Sequence, residues 1–139
     1  MGANSSDTFL PGLSNEEIYC LTKDTVLHLS AEITALYTWR NGQSYEDEEG
    51  LNIPFGIYVF LPLDRAISEG ASLAELDGNW SKSWLPILSD DAGAYYFCDC
   101  TRSNTISQVF RYFPEADEIR CLKFESIEEL LIGIVADSK

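Results

Sequence analysis

Residues 84–99 read Trp84-Leu85-Pro86-Ile87-Leu88-Ser89-Asp90-Asp91-Ala92-Gly93-Ala94-Tyr95-Tyr96-Phe97-Cys98-Asp99. Apolar residues dominate Trp84–Leu88 and Ala94–Asp99, and a polar segment with one glycine, Ser89–Gly93, joins them. Two such runs with a turn between them predict an antiparallel β-hairpin. Because side chains alternate along a strand, Cys98 and Cys100 are expected on one face of the second strand.

After the hairpin, two more strands are predicted at Gln108–Phe113 and Glu118–Phe124, joined around Pro114. A helix should then begin at Ser126-Ile127-Glu128-Glu129, whose residue types form a capping box. Its apolar residues recur with helical spacing and predict a stripe that packs on the sheet. The stripe consists of Ile127, Leu130, Leu131, Ile134 and Val135.

Before the hairpin, Ile53–Leu61 is rich in β-branched and aromatic residues and predicts a strand, with Pro54 and Gly56 favouring an edge or a bulge at its start. Leu63–Ser68 predicts a short helix that Gly70 interrupts, with a second turn at Ser72–Leu76.

The N-terminal part predicts two helices. Ser14 and Glu17 form a capping box for a helix that runs to about Lys23. A longer helix should begin near Leu29 or Ser30 and end at Asn41-Gly42, where glycine tolerates a left-handed C-cap. Its buried stripe is expected to comprise Leu29, Ile33, Leu36 and Tyr37.

The order of these elements predicts the fold class. Strict strand–helix alternation is absent, so we expect an α+β fold with an antiparallel sheet. The sheet should have about four to six strands, be strongly bent, and be flanked by the N-terminal helices and a C-terminal amphipathic helix. We expect residues 1–139 to form a single domain, with residues 1–12 as a loose N-terminal arm.

Charge narrows the possible partners. The chain of 139 residues has 9 basic and 23 acidic residues, a formal net charge of −14. Nucleic-acid binding needs Lys and Arg for phosphate contacts, and anionic membranes attract basic segments, so neither partner is expected. A strongly acidic domain instead favours basic partners, which opposite charge steers to it quickly.

The N-terminal sequence predicts a cytoplasmic protein. The N-terminus contains no secretory signal pattern. The longest apolar run of the chain, Ile53–Leu63, is too short to span a membrane. Residues 1–6, Met-Gly-Ala-Asn-Ser-Ser, fit the pattern for N-myristoylation. No basic cluster supports membrane attachment, so an ordinary polar start is the preferred interpretation.

Enzymatic chemistry finds little support. His28 is the only histidine, and a partly buried or capping role is preferred for it. No nucleophile elbow, Walker loop or dinucleotide-binding glycine motif is present. Cys98 and Cys100 fit small buried apolar residues better than a metal or redox pair, and Asp90 and Asp91 fit turn formers better than calcium ligands. We therefore predict no catalytic residue, cofactor or metal.

Several of these stretches together resemble a known family. They are Trp39-Arg40-Asn41-Gly42 after a helix, Ser83-Trp84-Leu85-Pro86-Ile87 followed by Ser89-Asp90 and the turn at Gly93, the aromatic strand Tyr95–Asp99, and Phe124-x-Ser126 before the last helix. In order and spacing they resemble the SUKH superfamily, which includes fungal glucan-synthesis regulators. On this resemblance Trp39, Asn41, Gly42, Trp84, Pro86, Ile87 and Gly93 are the structural signature residues.

The resemblance implies an α+β fold without catalytic residues. Most bacterial members look like immunity proteins that neutralise a cognate toxin domain, often a nuclease, and fungal relatives look like scaffolds in cell-wall signalling. A compact chain without a long disordered arm fits the first group better.

The acidic run Glu46–Glu49 admits two interpretations: a solvated loop, or a contact surface for a basic partner. Carboxylates could occupy the phosphate-gripping site of a toxin nuclease, and aromatic side chains could anchor the interface. The predicted partner-binding residues are Tyr45, Glu46, Asp47, Glu48, Glu49, Asp90, Asp91 and Tyr95. The main alternative is an adaptor or regulator of the same fold, and a third is an enzyme or metal protein built on Cys98, Cys100 and His28.

Overall fold

The computed structural model describes residues 9–43, 59–78, 80–89, 94–102, 105–112 and 121–137. It contains four α-helices: α1, Asn15–Thr22; α2, Ala31–Trp39; α3, Leu63–Leu76; and α4, Ile127–Asp137. Its strands are β1, Phe9–Pro11; β2, Arg40–Gln43; β3, Val59–Phe60; β4, Trp84–Ser89; β5, Tyr95–Asp99; β6, Val109–Tyr112; and β7, Cys121–Phe124.

The predicted α+β class with an antiparallel sheet is confirmed. One sheet has five strands in the order β3-β4-β5-β6-β7, and a second sheet pairs β1 with β2. Every pair of neighbouring strands is antiparallel. The hairpin of β4 and β5 pairs Trp84 with Asp99 and Ser89 with Tyr95. The register shifts between Pro86 and Leu88, and such irregularities increase local twist and bend a strand.

Both N-terminal helices begin where the sequence predicts. The Ser14 hydroxyl accepts a hydrogen bond from the Glu17 amide at 3.1 Å, and the Glu17 carboxylate accepts from the Ser14 amide at 2.8 Å. Ser30 is the N-cap of α2 and accepts from the Ile33 amide at 3.0 Å. Each cap satisfies backbone donors that a helix N-terminus leaves without an internal partner.

Part of the segment expected to be a loose arm forms a strand. Phe9–Pro11 forms β1 and pairs with β2, with Phe9 opposite Gln43 and Pro11 opposite Arg40. The Phe9 ring also packs on Trp39, with ring centroids 5.5 Å apart. Strand pairing with a segment some thirty residues away was not visible in the local composition. Residues 1–8, which include the myristoylation pattern, lie outside the described residues.

Asn41 and Gly42 do not end α2 as predicted. The helix ends at Trp39, and Arg40 is its extended C-cap. Asn41 and Gly42 belong to β2. The Asn41 side chain accepts a hydrogen bond from the Leu63 amide at 2.9 Å, so it caps the start of α3 instead. Gly42 has a φ of 77°, and a Cβ there would lie 2.3 Å from the backbone nitrogen of Pro62. The glycine is therefore required by chain packing as well as by conformation.

Gly70 does not interrupt a helix either, because α3 is continuous from Leu63 to Leu76. A Cβ at Gly70 would lie 3.1 Å from the Pro86 side chain and 3.2 Å from the Trp84 carbonyl oxygen. The glycine thus lets α3 approach β4 closely, and this packing outweighs its low helix propensity of about 1 kcal/mol relative to alanine.

One face of the five-stranded sheet contributes to the main hydrophobic core. Leu85 and Ile87 of β4, Cys98 of β5 and Val109 of β6 pack there, as does Cys100 just after β5. All four helices contribute to this core through Ile18, Ile33, Leu36, Tyr37, Leu63, Ala66, Ile127 and Leu130. The Tyr37 hydroxyl is buried and donates to the Leu61 carbonyl at 2.8 Å, which satisfies its polar group.

The opposite face carries a second, aromatic cluster made of Trp80, Phe97, Phe110 and Tyr112, all buried. Phe97 stacks on Trp84 with ring centroids 4.5 Å apart, and Trp80 lies against Phe97 at 4.9 Å. Rings at these distances interact favourably beyond the burial of their area.

The start of α4 is held by an acidic residue of α2. The Glu32 carboxylate accepts hydrogen bonds from the amides of Ser107 at 3.0 Å, Ile127 at 2.9 Å and Glu128 at 3.0 Å. Ser126 accepts from the Glu129 amide at 3.0 Å, as the predicted capping box requires. The Glu129 carboxylate, however, reaches back to the Glu125 amide rather than to that of Ser126. Long-range bonds therefore complete this helix start.

Candidate protein-binding surface

The structure places only part of the predicted site. Among the signature residues, Pro86 and Ile87 are fully buried, Asn41 and Trp84 are partly exposed, and Trp39 is 49% exposed. Tyr95 is the one predicted partner-binding residue that the structure describes, and it is half-buried. Outside the described residues lie Tyr45, Glu46, Asp47, Glu48, Glu49, Asp90, Asp91 and Gly93.

The described strand ends show where those segments attach to the sheet. Ser89 at the end of β4 is paired with Val59 at the start of β3 and with Tyr95 at the start of β5. Tyr95 in turn is paired with Tyr112 at the end of β6. These four residues form one row across one end of the sheet, about 14 Å long from the usual strand spacing. We call this the acidic end.

Three connecting segments meet the sheet at this row. Residues 44–58 precede Val59, residues 90–93 join Ser89 to the strand that begins at Tyr95, and residues 113–120 follow Tyr112. Residue 44 also follows Gln43, whose side chain accepts from the Phe60 amide at 2.7 Å. Both attachment points of residues 44–58 therefore lie next to each other at the first strand of the sheet.

These segments are unusually acidic. They contain a single basic residue, Arg120. They contain nine of the 23 acidic residues of the chain: Glu46, Asp47, Glu48, Glu49, Asp90, Asp91, Glu115, Asp117 and Glu118. The acidic run and the acidic turn, far apart in sequence, thus connect to neighbouring strands.

Tyr95 is held in place by polar and aromatic contacts. Its hydroxyl donates to the Glu69 carboxylate of α3 at 3.0 Å, and its ring lies 6.1 Å from that of Trp80 and 6.2 Å from that of Tyr112. The Glu69 carboxylate also pairs with Arg65 at 3.2 Å. A fixed, half-buried tyrosine costs little conformational entropy when a partner covers it, which suits an interface anchor.

Tyr112 beside it was not predicted as a site residue. Its hydroxyl donates to the Asp77 carboxylate just after α3. Burial, together with this hydrogen bond and the nearby negative charge, raises the pKa of Tyr112 to about 12. No local sequence signal links Tyr112 to Asp77, because the two are 35 residues apart.

The two cysteines considered for metal or redox chemistry are buried. Cys98 and Cys100 are buried in the main core, as the alternation along β5 predicts. Burial raises the pKa of the Cys98 thiol well above its ordinary value and that of Cys100 from 9.0 to about 12. A protonated thiol is a poor nucleophile and metal ligand.

His28 is not partly buried, which was one of the two roles expected for it. Its side chain is exposed, while its backbone amide donates to the Cys100 carbonyl at 2.8 Å. Within the described residues, no three His, Cys, Asp or Glu side chains are grouped closely enough to hold a metal ion. Nor does any helix there combine the length and apolar character that crossing a membrane requires.

Comparison with known proteins identifies the family of this chain. The model of the SMI1/KNR4 family, also called SUKH-1, matches residues 12–133. The chain therefore belongs to the SMI1/KNR4 (SUKH-1) family. Members of this family are generally non-enzymatic immunity or regulatory proteins that bind protein partners. A search of curated proteins finds no significant match.

Proposed function

We propose that this chain is a cytoplasmic immunity protein without enzymatic activity, which binds and neutralises a basic, nuclease-type toxin domain. The observation that carries the proposal is that the three acidic segments are attached to strand ends in one row at one end of the sheet. A nuclease needs a basic surface to grip phosphates, and clustered carboxylates can occupy that surface in place of the nucleic acid. The partner-binding residues are Tyr45, Glu46–Glu49, Asp90, Asp91 and Tyr95.

Charge also suits the kinetic demand on such a protein. An immunity protein must reach its toxin before the toxin reaches its target. Opposite charges raise association rates from about 10⁵–10⁶ to as much as 10⁸–10⁹ M⁻¹s⁻¹ at low salt. With a net charge of −14, the chain would be steered to a basic domain over distances set by the ionic strength.

Family membership supports a second candidate, an adaptor or regulator that docks on an endogenous protein, because the family is consistent with both roles. The two proposals differ in the partner and in its sensitivity to salt. A toxin domain held by carboxylates should dissociate as salt is raised, whereas a regulator held through apolar contacts should not.

Affinity capture from the native source tests the choice. The tagged chain is incubated with lysate at low and at high salt, and recovered proteins are identified by mass spectrometry. The immunity proposal predicts a small basic domain that is recovered at low salt only. That domain should be toxic when expressed alone and harmless when co-expressed with this chain. Recovery of a salt-insensitive cellular regulator, or of a basic domain that is not toxic, would overturn the proposal.

A further inference from the structure

A groove lies between the loop that follows α1, helix α3 and the start of β4, with a volume of about 370 Å³. This falls within the range of about 300–1,000 Å³ that is typical of ligand pockets. Its lining is mostly apolar: buried Leu27 and Leu85 contribute, together with half-buried Ile67 and Trp84. Trp84 is the first residue of β4, and Ser89, which lies at the acidic end, is the last. The groove is therefore separate from the acidic end.

Helix α3, which forms one wall of the groove, carries small residues there. Gly70 lacks a side chain, and Ala71 is exposed and extends only to Cβ. The facing loop contributes Val26, an apolar residue that is 53% exposed. Exposed apolar surface lining a concave site is typical of places where a ligand or partner binds.

Three charged residues also line the groove. Asp24 and Glu75 are acidic, Lys82 is basic, and all three side chains are exposed. None of them forms an ion pair with another part of the chain that the structure describes. The lining therefore combines an apolar surface with an excess of negative charge.

We infer that this groove binds a short peptide segment in which an apolar side chain is adjacent to a lysine or arginine. The apolar side chain would pack against Leu27, Ile67 and Leu85, and the cation would pair with Asp24 and Glu75. Lys82 would donate to a backbone carbonyl oxygen of the same peptide. Because the groove and the acidic end are different surfaces, this inference does not rest on the proposed function.

Three tetrapeptides with blocked termini test the chemistry of the groove. The probes are acetyl-Lys-Leu-Phe-Lys-amide, its polar counterpart acetyl-Lys-Ser-Ser-Lys-amide, and its acidic counterpart acetyl-Glu-Leu-Phe-Glu-amide. Each is titrated into the ¹⁵N-labelled full chain and followed by NMR. We expect the first peptide to shift the amides of Thr25, Val26 and Ala71 and to bind at least tenfold more tightly than the other two. If the polar peptide binds as tightly as the first, the positive charge of the peptides alone explains binding, and the inference is overturned.

Two variants localise the binding. Ala71→Phe fills the groove from an exposed helix position, whereas Ser72→Phe adds the same ring at the next residue, which does not line the groove. We expect at least a tenfold loss of affinity for the first peptide in Ala71→Phe and no change in Ser72→Phe. Equal affinities in the two variants would contradict the inference. Glu75→Lys gives an independent check, because it should weaken the basic peptide and leave the fold intact.

The same titration in Glu48→Lys/Glu49→Lys separates this inference from the proposed function. These substitutions reverse the charge of two acidic residues within 44–58 and leave the groove residues unchanged. Peptide binding should persist in this variant even if toxin binding fails. If the peptide instead loses the amide shifts at Thr25, Val26 and Ala71, the groove is not its site.

Discussion

The two ends of the five-stranded sheet carry acidic residues in opposite roles. At the end near Val109 and Phe124, the Glu32 carboxylate accepts three backbone amides and ties α2 to α4. At the acidic end, nine acidic residues stand in connecting segments with a single base, Arg120, among them. The comparison indicates that an acidic side chain whose carboxylate accepts several backbone amides stabilises the fold. An excess of acids over bases in connecting segments instead suits an external partner.

The largest expected effect concerns the attachment of the acidic segment to the fold. Gly42→Ala should lower the free energy of unfolding by at least about 3 kcal/mol, since a positive φ and a backbone clash act together. The added Cβ would lie 2.3 Å from the Pro62 nitrogen. Urea unfolding followed by circular dichroism measures the change.

Gly78→Ala is the matched control, because a Cβ at Gly78 would meet nothing within 4 Å. It should change the free energy of unfolding by no more than about 0.5 kcal/mol. Similar losses in the two variants would show that close packing at Gly42 does not stabilise the fold.

Glu32→Ala should lower the free energy of unfolding by roughly 3 kcal/mol. The part-buried amides of Ser107 and Ile127 lose hydrogen bonds to a charged group, which contribute about 1.5–3 kcal/mol each, whereas water can replace the carboxylate at the exposed Glu128 amide. Glu16→Ala, an exposed acid in the first turn of α1, should have an effect of about 0.5 kcal/mol or less. Urea titration of both variants makes the comparison. If Glu32→Ala leaves the free energy of unfolding unchanged, Glu32 does not have the structural role assigned to it.

A smaller effect is expected at alkaline pH. Tyr112 and Cys100 have pKa values raised to about 12 from 10.0 and 9.0, so folding favours their protonated forms. Their contribution to stability is complete below about pH 9 and is lost as the pH rises towards 12. Tyr112→Phe should flatten the fall in unfolding free energy between about pH 10 and pH 12. Urea unfolding at several pH values tests this, and an unchanged slope would contradict it.

Local signals in the sequence predicted most of the fold. The capping box at Ser14, the start of the second helix near Ser30 and the hairpin of β4 and β5 are all confirmed, because each depends on residues close in sequence. The apolar stripe of α4 is confirmed where it reaches the core through Ile127 and Leu130.

The errors have a shared physical cause, which is packing between distant segments. Gly42 meets Pro62, Gly70 meets Pro86, and β1 pairs with β2, and none of these contacts leaves a local pattern. The same limit applies to the candidate site. Tyr95 could be proposed from its position beside Asp90 and Asp91, whereas its bond to Glu69 joins residues 26 apart.

The most direct test of the central claim compares two variants with equal changes in net charge. Glu48→Lys/Glu49→Lys alters the acidic segment, and Glu16→Lys/Glu128→Lys alters exposed acids on α1 and α4. Their affinities for the captured basic domain are measured by calorimetry at about 50 mM and about 500 mM salt, which differ strongly in screening.

We predict at least a tenfold loss of affinity at low salt for Glu48→Lys/Glu49→Lys, with a flatter salt dependence than that of the native chain. Glu16→Lys/Glu128→Lys should stay within about threefold of the native affinity, because its charges are outside the proposed interface. Equal losses in the two variants, or a native affinity that salt does not change, would contradict binding through the acidic end.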